Sequence, residues 1–564
     1  MMDKKTVLAV IVCLIALIAW QTLVNRIYPP KPKPLRAVTA TITNAPQPRA
    51  ETAPPVEKSA PPAPTKEVVA EPEESRPAEQ TATLSNEYVR MDFTSWGGGV
   101  RWVELLKYKI NGSGNVMLNG KEFAPALALA NIANAGPDAV FTLEHPAADT
   151  VVMNRHTRTG LDVTKTFRLG KGYVLDGTID ITPPPHATPP TNTIDLVIGT
   201  ATPVEAKELP NFLTASWLVG EKYQYRELKQ IAKNAEKGVS NETVNARWGA
   251  VKSQFFTMLL TPSTNAVQIA YAAVELPRPA EWKAKQPPQG VSATLQLVPT
   301  TTTGNGSERY EFTWYAGPKE YERLVALQGG QEEVMQLGFW GVISVVLLKS
   351  MNFFYKLIPN YGVAIIIITI LIKILFWPIQ AKSIKSMKAM QKFQPLMTKL
   401  REKYKDDPQR LNTEMMKLYK EHKINPFAGC LPMVVQIPVF FALFTMLRSA
   451  IELRGASFLW IKDLSQPDTV GHLLGFPVNP LPIAMGVSMI WQMKLTPSGG
   501  DPKQQQMMMF MPLMMLFFFY SSSSGLVLYW TVQQFLSIAQ QWWSMRQADT
   551  AAPAAAMTST GKTK

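Results

Sequence analysis

Between residues 81 and 318 apolar and polar positions alternate in short runs, at 87–93, 161–169, 173–181 and 292–298, with Gly, Pro and Asn between them. Period two sets one face of each run against a core and the other in water, so this stretch predicts an antiparallel β-sandwich. Turn signals fall at Trp96-Gly-Gly-Gly and Gly170-Lys-Gly. Beyond residue 318 the pattern changes to longer apolar runs. The run at 338–349 is short, broken by glycine and followed by Lys349, Asn352, Lys356 and Pro359. Together with a helical pattern at 321–327, it predicts an interfacial amphipathic region over 319–359. The run at 360–380 has the length of about twenty residues that crosses a hydrocarbon layer of ~30 Å. Further runs at 428–447, 481–495, 507–520 and 525–543, with one at 6–24, bring the expected crossings to six.

Residues 1–28 read as an N-terminal transmembrane anchor, because the apolar run is longer than a signal-peptide core and no small-x-small site follows it. Residues 29–80 are rich in Pro, Ala, Thr and Glu, a composition that cannot offset its own ordering entropy and predicts a disordered linker. Between 382 and 425 the apolar positions Ile384, Met387, Phe393, Leu396, Leu400 and Tyr404 recur every three or four residues. Asp407-Pro408 then starts a second helix with Leu411, Met415, Leu418 and His422 on one side. The expectation is a helical hairpin outside the membrane. Twelve Lys or Arg against five acids between 382 and 423 mark the cytoplasmic side. Lys385, Lys388, Lys392, Lys399 and Arg401 are its candidate contacts for anionic headgroups, a nascent chain or a partner. Six crossings put both termini on that side, residues 546–564 forming a cytoplasmic tail, and leave the β-domain outside. The expected fold is a polytopic α-helical membrane protein of six transmembrane helices with a large extracytoplasmic antiparallel β-sandwich domain.

Charge and composition narrow the chemistry. A net charge of +14 and a pI near 9.4 fit anionic lipid or nucleic acid as a partner. The basic residues lie beside apolar spans and no nucleic-acid motif occurs, which favours lipid. Cys13 and Cys430 make neither a disulfide framework nor a metal-ligand spacing, and His145, His156 and His186 have no carboxylate at a catalytic spacing. No phosphate-cradling loop is present, so neither metal, cofactor nor nucleotide is expected.

The informative polar groups lie within the apolar runs. Lys373 stands among isoleucines, at a cost of roughly 2.5–3.5 kcal/mol in mid-membrane unless it snorkels, finds a partner or faces water. Thr369, Gln436, Gln492 and Gln533 add polar groups at membrane depth, so that with Lys373 four runs carry them. The runs at 481–495 and 507–520 cover only ~21–23 Å as helices, and Pro432 and Pro438 interrupt a third. This combination predicts a hydrated hollow around the lysine. Glue between helices and snorkelling are the other readings.

Residues 365–373, 425–443 and 458–465, Phe510-Met-Pro, and residues 524–530 resemble the YidC-type membrane protein insertases, over about 338–543. The β-domain resembles theirs more loosely; in those relatives it is a sandwich of the sugar-mutarotase type without that activity. The resemblance implies that five of the six helices form an insertase core, over 360–545. Such a core passes short extracytoplasmic segments of nascent membrane proteins through a positively charged groove open to the cytoplasm. It then releases their helices into lipid, alone or with the Sec translocon, and is not an enzyme. Implied further partners are the ribosome or the signal recognition machinery, and the implied location is a bacterial inner membrane with the β-domain periplasmic. Thr369 and Gln436 match the family's polar groove, and Trp530 matches its aromatic residue of the last span. Lys373 stands where the family usually has arginine, and the tail is short and weakly basic, unlike the ribosome-binding tails of some relatives. A small-solute transporter or channel would also use an intramembrane lysine but should show inverted repeats, which the sequence lacks. A sugar-binding receptor or mutarotase would place its function in the β-domain.

Overall fold

Alternation becomes strand pairing from Thr81 onward. In Val174–Thr182, for example, Leu175, Ile179 and Ile181 turn inward while Asp176, Thr178 and Asp180 do not. The computed structural model describes residues 77–550 except 111–113, 121, 186–192, 205–207, 209, 235–239, 279–286, 304–305, 423–430 and 496–501. The expected anchor at 1–28, the linker up to residue 76 and the tail beyond 550 lie outside the described residues, as does His186.

Four strands, Thr81–Ser85, Val89–Thr94, Gly99–Lys109 and Asn115–Leu118, form one antiparallel meander. Thirteen more form a second antiparallel sheet, whose main path runs from Thr142–Ala147 to Ile194–Ala201. This long sheet folds over itself. Ile194–Ala201 pairs with Gln289–Leu297 and also packs on Ser240–Lys252 and Phe256–Pro262. Across the layers Trp314 Nε1 donates to the Ile198 carbonyl at 3.1 Å. The interior holds Trp217, Trp248 and Trp314, all fully buried, and the meander joins it through Phe93 and Phe167, ring centres 5.6 Å apart. Two short helices, α1 (Leu228–Asn234) and α2 (Tyr321–Ala326), lie within and at the end of this region.

The helical part consists of α3 (Gly341–Leu357), α4 (Tyr361–Lys392), α5 (Gln394–Lys403), α6 (Pro408–Glu421), α7 (Leu431–Ser449), α8 (Pro480–Leu495), α9 (Pro502–Phe519) and α10 (Ser524–Thr550). Within the region expected at 319–359, α3 runs past Lys349 to Leu357. It buries Ser344, Leu347, Leu348 and Met351, and Ser344 Oγ donates to the Ala442 carbonyl of α7 at 2.9 Å. Gln254 Nε2 to the Arg448 carbonyl and an Arg454 N–H to the Lys109 carbonyl, each 2.9 Å, tie the helices to the sandwich.

The bounds differ from expectation in an instructive way. The expected span at 360–380 is part of a longer helix: α4 continues through Pro378 to Lys392. Lys385 and Lys392 therefore extend that helix rather than sit in a hairpin, as does the backbone of Lys388, whose side chain is outside the described residues. An apolar helix tolerates a proline when neighbouring helices support it. The break comes instead at Phe393, because Pro395 enters the first turn of α5 and its ring excludes the carbonyl of a continuing helix. The hairpin proper is α5 and α6, with Lys399 and Arg401 on α5. Asp407 caps α6 by accepting from Arg410 N at 2.9 Å, and Phe393 packs on His422 with ring centres 4.3 Å apart. At the other end α10 runs past residue 543 to Thr550, and within it Gln540 and Gln541 donate to the carbonyls of Trp377 and Leu495. Among the described residues α4 is the one helix long and apolar enough to cross a membrane, over Tyr361–Met387 at mean hydropathy 2.5; the apolar stretches Val434–Ser449 and Phe510–Phe519 are shorter.

Gly362 lets the start of α4 approach the loop before α8. A β-carbon there would lie 2.2 Å from Phe458 Cγ. Gly362→Ala is expected to lower stability by about 1–3 kcal/mol despite its gain in helix propensity, since the ring or the helix must shift. Phe458→Ala in the same chain should recover part of that loss. Melting of the four proteins of this cycle in detergent checks it; strictly additive shifts would show that the contact is not what Gly362 serves.

Candidate functional site

Lys373 is the thirteenth residue of α4, so its backbone lies ~18 Å along the helix from Tyr361. Its side chain is only 3% exposed. The ammonium donates to Gln380 Oε1, two turns further along α4, and to Ser537 Oγ of α10 at 2.8 Å. The Ser537 hydroxyl passes its own hydrogen to the Gln533 carbonyl, also at 2.8 Å. The lysine does not stand open to solvent in this conformation. It is covered between two helices and satisfied by two uncharged acceptors. Burying a charge is tolerable when its protons find partners.

The other expected residues distribute around this seam. Thr369 is fully buried one turn before Lys373, its hydroxyl donating to the Ile365 carbonyl at 2.7 Å. Gln436 of α7 donates to the Tyr529 hydroxyl of α10 at 2.8 Å, which joins a third helix to the seam. Trp530 packs between Phe440 of α7 and Phe519 of α9, with ring centres 5.0 and 5.6 Å away. Its indole Nε1 is buried without an acceptor, and the side-chain oxygen of Gln533, one turn on, is buried without a donor. Gln492 is half-buried near the C-terminal end of α8, a helix that also packs along α10. The site is therefore organised by α10, which carries Tyr529, Trp530, Gln533 and Ser537 on successive turns.

Sequence reading missed Gln380, Ser537 and Tyr529. Gln380 closes the expected span at 360–380 and Ser537 lies inside the one at 525–543, and nothing in their immediate surroundings singles either out. Their positions held the signal: Gln380 is seven residues from Lys373, and Ser537 is four from Gln533, so each pair shares a helix face.

An orphaned donor and an orphaned acceptor within a turn, beside a covered cation, can do specific chemistry. They can take one C=O and one N–H of an extended backbone, while the ammonium can exchange a neutral acceptor for a carboxylate. Outward from the seam the helices turn large apolar groups away from the protein, including Ile374 and Leu375 of α4, Val487 and Trp491 of α8, and Phe517 and Phe518 of α9.

Two family models match the chain. One described as the 60Kd inner membrane protein covers residues 353–551, and one described as the YidC periplasmic domain covers 81–350. A "Membrane protein insertase YidC" from Syntrophus aciditrophicus (strain SB) is 33% identical over 578 residues, 97% of this chain and 100% of that protein. One of the same name from Nitratidesulfovibrio vulgaris (strain DSM 19637 / Miyazaki F) is 38% identical over 330 residues, 57% of each. The chain spans about half the length of the first curated relatives it matches. A solved structure titled "Active YidC insertase crystal structure with the first transmembrane domain resolved" aligns with a TM-score of 0.35 at 17% identity, covering 83% of this chain and 93% of that one.

Proposed function

The chain belongs to the YidC family, and from that membership we propose that it is a membrane protein insertase working through the Lys373 seam. Short extracytoplasmic segments of nascent membrane proteins enter between α4, α7 and α10 from the cytoplasmic side. Their transmembrane helices then leave into lipid past α7 and α9. The protein works alone or with the Sec translocon, makes and breaks no covalent bond, and needs no cofactor. In this reading the chain crosses an inner membrane six times, with both termini cytoplasmic and the β-domain periplasmic. The α5–α6 hairpin meets anionic headgroups and the emerging client on the inner face, where a ribosome or signal recognition machinery would deliver it.

The observation that carries this reading is Lys373, a charge held at mid-helix by neutral partners. A carboxylate competing for the ammonium would gain about 4 kcal/mol at 4 Å for an effective dielectric of 20, before desolvation is subtracted. Gln380 and Ser537 hold the cation in the covered state but bind it more weakly than a carboxylate does. Trp530 and Gln533 supply what a stretch of dehydrated client backbone lacks. Once the polar segment is across, the client's apolar helix meets the Phe and Met side chains of α9, of which Phe510 and Met514 face outward. Thioethers adapt to varied partners. The driving force is partitioning of that helix into lipid, with the membrane potential acting on translocated charge.

The test is reconstitution of the purified full chain into liposomes with one short client. Protease protection of the client's translocated segment should require the protein and should not require nucleotide. Equal protection in empty liposomes would reject the reading.

A further inference from the structure

The loop between α7 and α8 contains the run 458–465, which the insertion mechanism leaves unused. Phe458 and Ile461 exchange both backbone hydrogen bonds, at 2.9 and 2.8 Å, and so close a two-residue turn on Leu459-Trp460. Gly471–Leu473 and Phe476–Val478 pair as a hairpin and close a second such turn on Leu474-Gly475. Leu459 has φ +51° and Leu474 has φ +52°. That left-handed region suits Gly or Asn, because a β-carbon crowds the backbone there and a leucine side chain offers no compensating hydrogen bond. Both leucines also stand at the tips, 75% and 91% exposed, and Leu473 and Phe476 beside the second are exposed as well. Strained backbone and bare leucine, occurring twice in one loop, are both costs in water. A tip that meets hydrocarbon recovers the second of them.

We propose that this loop rests on the outer surface of the membrane with Leu459 and Leu474 inserted at the boundary between headgroups and acyl chains. The inference builds on the reading of α4 and α7–α10 as membrane spans. Lipid is favoured over a protein partner by the loop's place and its flanking residues. Asp468 accepts from Leu481 N at the start of α8, and Asn479 donates to the Tyr520 carbonyl just beyond α9. Ser524 N and Gly525 N, at the start of α10, donate to the carbonyls of Gln466 and Leu464. Three helix ends therefore hold the loop at one level, that of the outer boundary in this topology. Trp460 keeps its indole N–H on Asp468 with its ring partly exposed, and Lys462, two residues on, is exposed. Tryptophan and lysine are the usual anchors of that boundary.

The full chain with Cys13→Ser and Cys430→Ser would carry one new cysteine, Leu459→Cys or Leu474→Cys, labelled with an environment-sensitive fluorophore. It would be reconstituted in phosphatidylethanolamine–phosphatidylglycerol vesicles containing a shallow doxyl-labelled lipid. Two controls frame the result: Val487→Cys on the outward face of α8, and Glu221→Cys in an exposed turn of the sandwich. The tips should lose about half their emission to the doxyl lipid, as a group at the boundary would, and Glu221→Cys almost none. Tips quenched no more than Glu221→Cys, with Val487→Cys quenched, would overturn this inference alone and leave the spans standing. An unquenched Val487→Cys would overturn the spans and this inference with them. Tips that change emission only when a client polypeptide is added would overturn it in favour of a protein contact.

Discussion

Lys373→Ala is expected to reduce insertion of clients with acidic translocated segments by about tenfold or more, and of neutral clients by no more than a few fold. Tenfold corresponds to ~1.4 kcal/mol, a modest part of what a carboxylate gains from a buried ammonium. The asymmetry is the informative quantity. Alanine also removes packing at a site only 3% exposed, and that loss falls on every client alike. Lys373→Arg should retain most activity. It keeps the charge, and its five N–H donors can serve Gln380 and Ser537 together. Lys373→Met separates shape from charge. It fills the space nearly as well, so if the seam works by charge it should behave like alanine toward acidic clients. The measurement is initial insertion rate into liposomes for paired clients that differ only in Asp or Asn within the translocated segment. Equal loss for both members of the pair would sink electrostatic recruitment and leave Lys373 a structural pin between α4 and α10.

How far such a site can be read from sequence depends on whether a residue's role is local or borrowed from another segment. Lys373 was legible because one charge among isoleucines contradicts its own surroundings. Gln380 and Ser537 contradict nothing around them; only the pairing of α4 with α10, which no local pattern encodes, gives them a task. The prolines make the same point for helix bounds. Pro378 and Pro395 are equally poor helix residues, yet α4 passes through the first and stops before the second. The difference is support, since α4 packs along α10, α3 and α7 while α5 and α6 have mainly each other. In the sandwich, alternation told which side chains turn inward but not that the long sheet doubles back to place Trp314 under Ile198. Leu474 was invisible for a third reason: a leucine in a run of apolar residues looks ordinary until its backbone is seen to be left-handed.

Lys165 provides the test of whether the β-domain takes part in insertion. It lies between Val163 and Phe167 in Asp162–Leu169, and the alternation turns all three toward the core. Fully buried, its ammonium donates to the carbonyls of Gly97, Gly98 and Leu127 at 3.2, 2.7 and 3.2 Å, and so pins the meander's turn to the long sheet. Lys165→Ala leaves three carbonyls without that partner and opens a cavity, so the sandwich should lose about 3–5 kcal/mol. A domain of this size would then melt roughly 10 °C lower. Burial also pushes the Lys165 pKa down to about 7 from the ordinary 10.5. Between those values the unfolded chain holds the proton more firmly than the folded one, so wild-type stability should rise with pH across that window. Lys319, pushed down to about 8 by its burial, contributes in the same direction. Lys165→Ala should flatten the rise without abolishing it. Calorimetry at several pH values reads both effects. If insertion belongs to the helices, the same variant assayed above its lowered β-domain transition should still insert a short client within about twofold of wild type, a difference of less than 0.5 kcal/mol in barrier. Activity that falls in step with melting of the sandwich would move the function out of the Lys373 seam and into the β-domain.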